Sequence, residues 1–134
     1  MRFLITVKHE DQRVQDLLCN ALEGGSNYWY QIREYNFPEG ATKASLGIEF
    51  THLELPFKEG GSITIGVLGH DRRGLARTSI MPDKVLDRKS IRRGLALMAN
   101  NHPNHYADFL KENDDATTGD VFLQCCLYGK VIFG

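Results

Sequence analysis

Val121 to Tyr128 is apolar on nearly every side of a helix, and this limits what the chain can fold into more than any other stretch does. A helix without a polar face belongs in the middle of a core, so the other elements must be arranged around it. Thr118 or Asp120 supplies an N-cap and Gly129 closes the helix, because glycine takes the left-handed conformation without a Cβ penalty. Upstream, Asp87 is placed to cap a helix in which Ile91, Leu95 and Met98 form an apolar line. Ala99 lies beside that line, with Arg88, Lys89, Arg92 and Arg93 outside it. Pro103 breaks or bends this helix. Asn104 to Lys111 then make a short helix that buries Tyr106, Phe109 and Leu110 and ends in the polar run Glu112 to Asp115.

The first third predicts a strand, a helix and a second strand. Phe3 to Val7 are β-rich and stop at the polar cluster His9 to Gln12. Val14, Leu17, Leu18, Ala21 and Leu22 then fall at i, i+3, i+4, i+7 and i+8, the spacing of an amphipathic helix, which Gly24 and Gly25 terminate. Aromatic enrichment over Tyr28 to Phe37 favours a strand. Leu46 to Leu55, ending before Pro56, and the β-branched Ser62 to Leu68 predict two more. Leu75 to Met81 returns as a hairpin arm after the turn Gly69 to Gly74. The expectation is therefore an α+β fold in one domain over residues 1–134. It has an antiparallel sheet of about five strands, with an N-terminal helix and a C-terminal helical cluster on one face.

Composition and spacing then exclude several functions. Sixteen Lys and Arg against seventeen Asp and Glu give a formal charge of −1. That leaves no whole-molecule field to hold DNA, RNA or an anionic membrane. No apolar run approaches a membrane span, and the apolar run after Met1 is too short for a secretory segment. Three cysteines, Cys19, Cys125 and Cys126, are an odd count with one adjacent pair, which points to reduced thiols and a cytoplasmic setting. Cys125 and Cys126 lie in the most apolar segment, where a thiol packs as a small hydrophobe and is a poor nucleophile. His102, His105 and Asp108 have metal-ligand spacing, but Pro103 interrupts the helix they need. Ser26 follows two glycines without forming a nucleophile elbow, and no phosphate-cradling loop is present. No catalytic residue, metal or cofactor is expected.

Three features remain as binding candidates. Glu23 to Tyr30 gathers Asn27, Tyr28 and Trp29 at a turn, a mixture suited to stacking on a nucleobase, although strand alternation sends half of these aromatics into the core. Asn113 to Asp120 is an acidic loop before a helix, which serves equally as a cap and as complement to the helix dipole. Arg72, Arg73 and Arg77, with Arg88, Lys89, Arg92 and Arg93, form the basic concentration, either a solvated face or a seat for phosphate.

Leu18 to Trp29 and Asp114 to Gly134, with their Glu-Gly-Gly, Tyr-Trp and final Phe-Gly, resemble a family of small phage and prophage proteins. The pattern is similar to the first Thoeris anti-defence family, viral sponges that sequester cyclic ADP-ribose isomers made by bacterial TIR-domain enzymes. The likeness covers about half of the chain and leaves out Pro38 to Asp87. It implies a non-enzymatic homo-oligomer in the cytoplasm of an infected bacterium, sequestering a small cyclic nucleotide. Under that reading Tyr28, Trp29 or Phe109 stacks on the base and Arg72, Arg73 or Arg93 holds phosphate. Asn27, Asp115, Asp120 or Gln124 binds the ribose hydroxyls. The rival expectation is an inhibitor that binds a host defence or CRISPR effector, using the acidic loop to imitate nucleic acid.

Overall fold

The computed structural model describes residue 3, residues 5–68 and residues 81–134. The elements follow in the order α1 (Asp11–Asn20), β1 (Tyr30–Asn36), α2 (Thr51–Glu54), β2 (Ser62–Val67), β3 (Lys84–Leu86), α3 (Arg88–Asn101), α4 (Pro103–Leu110) and α5 (Ala116–Tyr128). The chain is α+β. Ten consecutive residues of α5, Thr118 to Leu127, are buried, as an all-round apolar helix requires. α1 contributes Val14, Leu17 and Leu18 to the core around it, α3 adds Ile91 and Met98, and β2 adds Ile63 and Ile65.

Helix ends follow local chemistry. Asp87 and Asp115 each accept a hydrogen bond from the backbone N–H three residues on, while the hydroxyl oxygens of Ser90 and Thr118 accept one from the capping residue's own N–H. Such reciprocal boxes satisfy two otherwise orphaned donors. The cap of α5 is thus Asp115, upstream of the expected Thr118 or Asp120. Gly129 ends α5 at φ 75°, the left-handed conformation expected of it. α1 loosens into a π turn over Ala21–Gly25. At Gly25 a Cβ would lie 2.7 Å from the carbonyl carbon of Ala116, so only glycine lets this turn sit against the start of α5.

The expected sheet of about five strands is corrected to three among the described residues, antiparallel in the order β1-β2-β3. Phe3 and Ile5 to Val7 form no strand and are exposed, with Ile5 at 85%. Leu46 to Leu55 is also not a strand. Gly47 stands at φ 66°, and the Glu54 carboxylate accepts the backbone N–H groups of Glu49 and Phe50, which turns this segment into the short α2. The expected arm from Leu75 lies outside the described residues except for Met81, which is coil. In its place, Lys84 to Leu86 pair with Ile63 to Ile65.

β1 pairs with β2 through a bulge between Ile32 and Glu34 that leaves Arg33 without a partner in the register. Arg33 lies over Gly66, donates to the Val67 carbonyl at 2.7 Å and stands 3.6 Å from Asp83. Across the molecule, the Arg13 guanidinium lies 4.4 Å from the Phe109 ring centroid and bonds the Phe109 carbonyl and the Asp114 carboxylate. Asn20 donates to the same carboxylate at 2.9 Å, so α1 is fastened to the loop before α5.

Candidate functional site

The aromatic turn and α5 meet at one buried carboxylate. Asp120 accepts hydrogen bonds from the Ser26 hydroxyl and the Trp29 indole N–H on Oδ1, and from the Tyr28 hydroxyl on Oδ2, each at 2.7 Å. A buried carboxylate needs this degree of satisfaction, since an ionised group without partners would be untenable in a core. Burial and the adjacent Asp120 push the Tyr28 hydroxyl up to about 12.

Trp29 is 2% exposed, and its face is covered by Phe133, whose ring stacks at 4.8 Å and 12°. The stacking platform expected at Trp29 is therefore part of the core. Phe109 is likewise buried, between the Arg13 guanidinium and the His9 ring, and offers no free face. Gln124 is fully buried and turned toward the segment after α5, where Oε1 accepts the N–H groups of Ile132 and Phe133 at 2.7 and 2.8 Å. Asn27 and Tyr28 are exposed at the turn.

Asp115 is exposed and engaged in capping. The Thr118 backbone N–H, then the Thr118 hydroxyl, hold its carboxyl below the ordinary 3.8. A lowered folded-state pKa contributes stability above the unfolded value, lost as pH falls through the folded value. Asp115→Ala should therefore cost about 1 kcal/mol at neutral pH. The gap in unfolding free energy between variant and parent should close as pH drops below 3.8. Denaturant titrations at neutral and acidic pH check this, and a gap independent of pH would exclude a charged cap.

Arg72 and Arg73 lie outside the described residues. Arg93 is exposed on α3, with Nη2 donating to the Cys126 carbonyl at 2.7 Å. It stands on an open groove of about 580 Å³ that the sequence did not announce. Among the described residues it is lined by Lys84 from β3, Arg93 from α3 and Lys130 beyond α5 together with the apolar Leu127, Tyr128 and Ile132. The Tyr128 hydroxyl is buried without a hydrogen-bond partner among the described residues. Burial and the charge of Asp83 raise its pKa, so it stays a neutral donor. These groups come from the neighbouring β3 and α3 and from the segment after α5, and Lys84 and Lys130 carry no motif. The nearest sequence signal was the basic cluster containing Arg93.

Burial pushes the Cys125 thiol up to about 11 and the Cys126 thiol well above its ordinary value. Both are fully buried in α5, where Gly94 of α3 packs onto Cys126. They act as core residues. The His102 and His105 rings lie 6.5 Å apart, and His105 Nδ1 is 3.3 Å from the Thr118 hydroxyl.

No known protein family, characterised protein or solved structure matches the chain.

Proposed function

We propose that this chain is a non-enzymatic binding protein that sequesters an anionic, nucleotide-like small molecule, of the cyclic ADP-ribose type implied by its resemblance to phage anti-defence sponges. The observation that carries this reading is the groove lined by Lys84, Arg93 and Lys130 together with apolar side chains. Cations around an apolar surface suit a ligand with phosphates at one end and a flat ring at the other. Arg93 is the phosphate ligand in this reading, because its guanidinium keeps donors beyond the one used on Cys126. The Tyr128 hydroxyl takes a polar atom of the ligand. Homo-oligomerisation in the host cytoplasm belongs to the same reading and is supported by exposed apolar side chains at Phe3, Ile5 and Val7. Among the described residues, no helix is long and apolar enough to cross a membrane.

The rival reading, an inhibitor imitating nucleic acid, depends on free carboxylates in the acidic loop. Asp114 is bound to Arg13 and Asn20, Asp115 caps α5, and Asp120 takes three internal donors. Little acidic surface is left for it.

Thermal-shift measurement against cyclic ADP-ribose isomers and cyclic oligonucleotides tests the proposal. A ligand at about a hundred times its dissociation constant adds roughly 2.7 kcal/mol to stability. Flat melting curves across the panel, with the protein folded, would sink the reading. Arg93→Ala should weaken binding about 10- to 100-fold, the equivalent of one or two charge-assisted hydrogen bonds. Its melting temperature without ligand should fall by no more than a few degrees, because the exposed side chain gives up a single hydrogen bond, to the Cys126 carbonyl.

A further inference from the structure

The segment Val131–Gly134, which follows α5, folds back without regular secondary structure and sits against Trp29 the way a bound base would. The Phe133 ring is stacked flat on the indole, and the Tyr128 ring meets Phe133 edge-on at 5.9 Å. Gln124 reads the edge beside them. Its Oε1 accepts the two backbone N–H groups of Ile132 and Phe133, and its Nε2 donates to the Phe133 carbonyl at 3.3 Å. A carboxamide fixed with one acceptor and one donor side by side is the group that recognises N6 and N7 of adenine. A flat ring stacked on one indole face, with the Tyr128 ring set edge-on beside it and 5.9 Å from the indole, supplies the aromatic part of the same recognition pattern. Tyr128 and Ile132 also line the cationic groove, so the slot and the groove share a wall.

We infer that Trp29, Tyr128 and Gln124 form an adenine slot that Val131–Gly134 occupies as an internal ligand, and that an adenine nucleotide displaces Phe133 with its phosphate in the groove. This rests on the groove being the phosphate site. The displaced contacts are one stacked ring and three hydrogen bonds to a segment outside any helix or sheet, against which the incoming base offers one stacked ring and two hydrogen bonds, with its phosphate contacts in the groove in addition. Closure by the segment lowers apparent affinity by the fraction of molecules that are open.

The chain has one tryptophan, so indole emission reports the slot directly. The test titrates adenosine, AMP and ribose 5-phosphate into the parent chain and into Phe133→Ala. The expected result is adenosine binding at least about tenfold tighter in Phe133→Ala than in the parent, with ribose 5-phosphate affinity unchanged. Equal adenosine affinities in the two chains, with ribose 5-phosphate still bound, overturn the slot and leave the groove standing. Tighter adenosine binding with no ribose 5-phosphate binding in either chain upholds the slot and sinks the groove. If Phe133→Ala does not melt cooperatively, hydrogen exchange in the parent decides. AMP should speed exchange of the Ile132 and Phe133 amides, and unchanged or increased protection overturns the displacement.

Discussion

Asp120→Ala is expected to lower the unfolding free energy by about 3–5 kcal/mol, a large part of a small domain's stability. The removed carboxylate is the common acceptor for Ser26, Tyr28 and Trp29, and two of those donors, on Ser26 and Trp29, are buried where water cannot replace it. A buried donor left without an acceptor costs roughly 1–3 kcal/mol, and the three terms are not additive. Asp120→Asn separates charge from geometry. Its Oδ1 still accepts from Ser26 and Trp29, while the amide nitrogen faces the Tyr28 hydroxyl, which turns to accept. The loss should then be on the order of 1–2 kcal/mol. Urea denaturation followed by Trp29 emission measures both variants. An Ala variant within 1 kcal/mol of the parent would mean that the carboxylate does not organise the turn.

Gly119→Ala is expected to destabilise the protein by about 1–3 kcal/mol, although in a free helix the same change would stabilise by roughly 1 kcal/mol. The sign is decided by backbone. A Cβ at Gly119 would lie 2.5 Å from the Ala21 nitrogen and 2.7 Å from the Asn20 carbonyl carbon, and neither can rotate away as a side chain end would. Gly24 in the adjacent π turn is the control. A Cβ there meets the Ala116 Cβ at 3.7 Å, ordinary contact, so Gly24→Ala should be close to neutral. Equal effects at the two positions would refute the close approach of α5 to the end of α1.

The helices were legible because their signals are local. Capping residues, proline and the recurrence of apolar side chains all act within a few positions; α1, α3 and α4 lie where those signals put them, and α5 ends at Gly129 as expected but begins at Ala116, upstream of the expected caps. The sheet was less so. Leu46 to Leu55 has the loose alternation of a strand, but its backbone N–H groups at Glu49 and Phe50 are taken by the Glu54 side chain and cannot form a ladder. Lys84 to Leu86 is too short to give a pattern and is a strand only because β2 pairs with it. The site was hardest, because an aromatic core and an aromatic pocket have the same composition. Whether Trp29 faces solvent is decided by Asp120 and Phe133, about a hundred positions away, and no reading of its neighbours contains that information.

The bonds joining Ser26, Tyr28 and Trp29 to Asp120 span 94, 92 and 91 positions, and α5 is the element around which α1 packs. Folding is slowed when the decisive contacts close long loops. On a translating ribosome, α1 and the sheet emerge with their apolar faces uncovered and stay so until α5 has been made. The core therefore closes only once α5 is available, and until then the apolar faces of α1 and the sheet are the kind of exposed surface that favours aggregation.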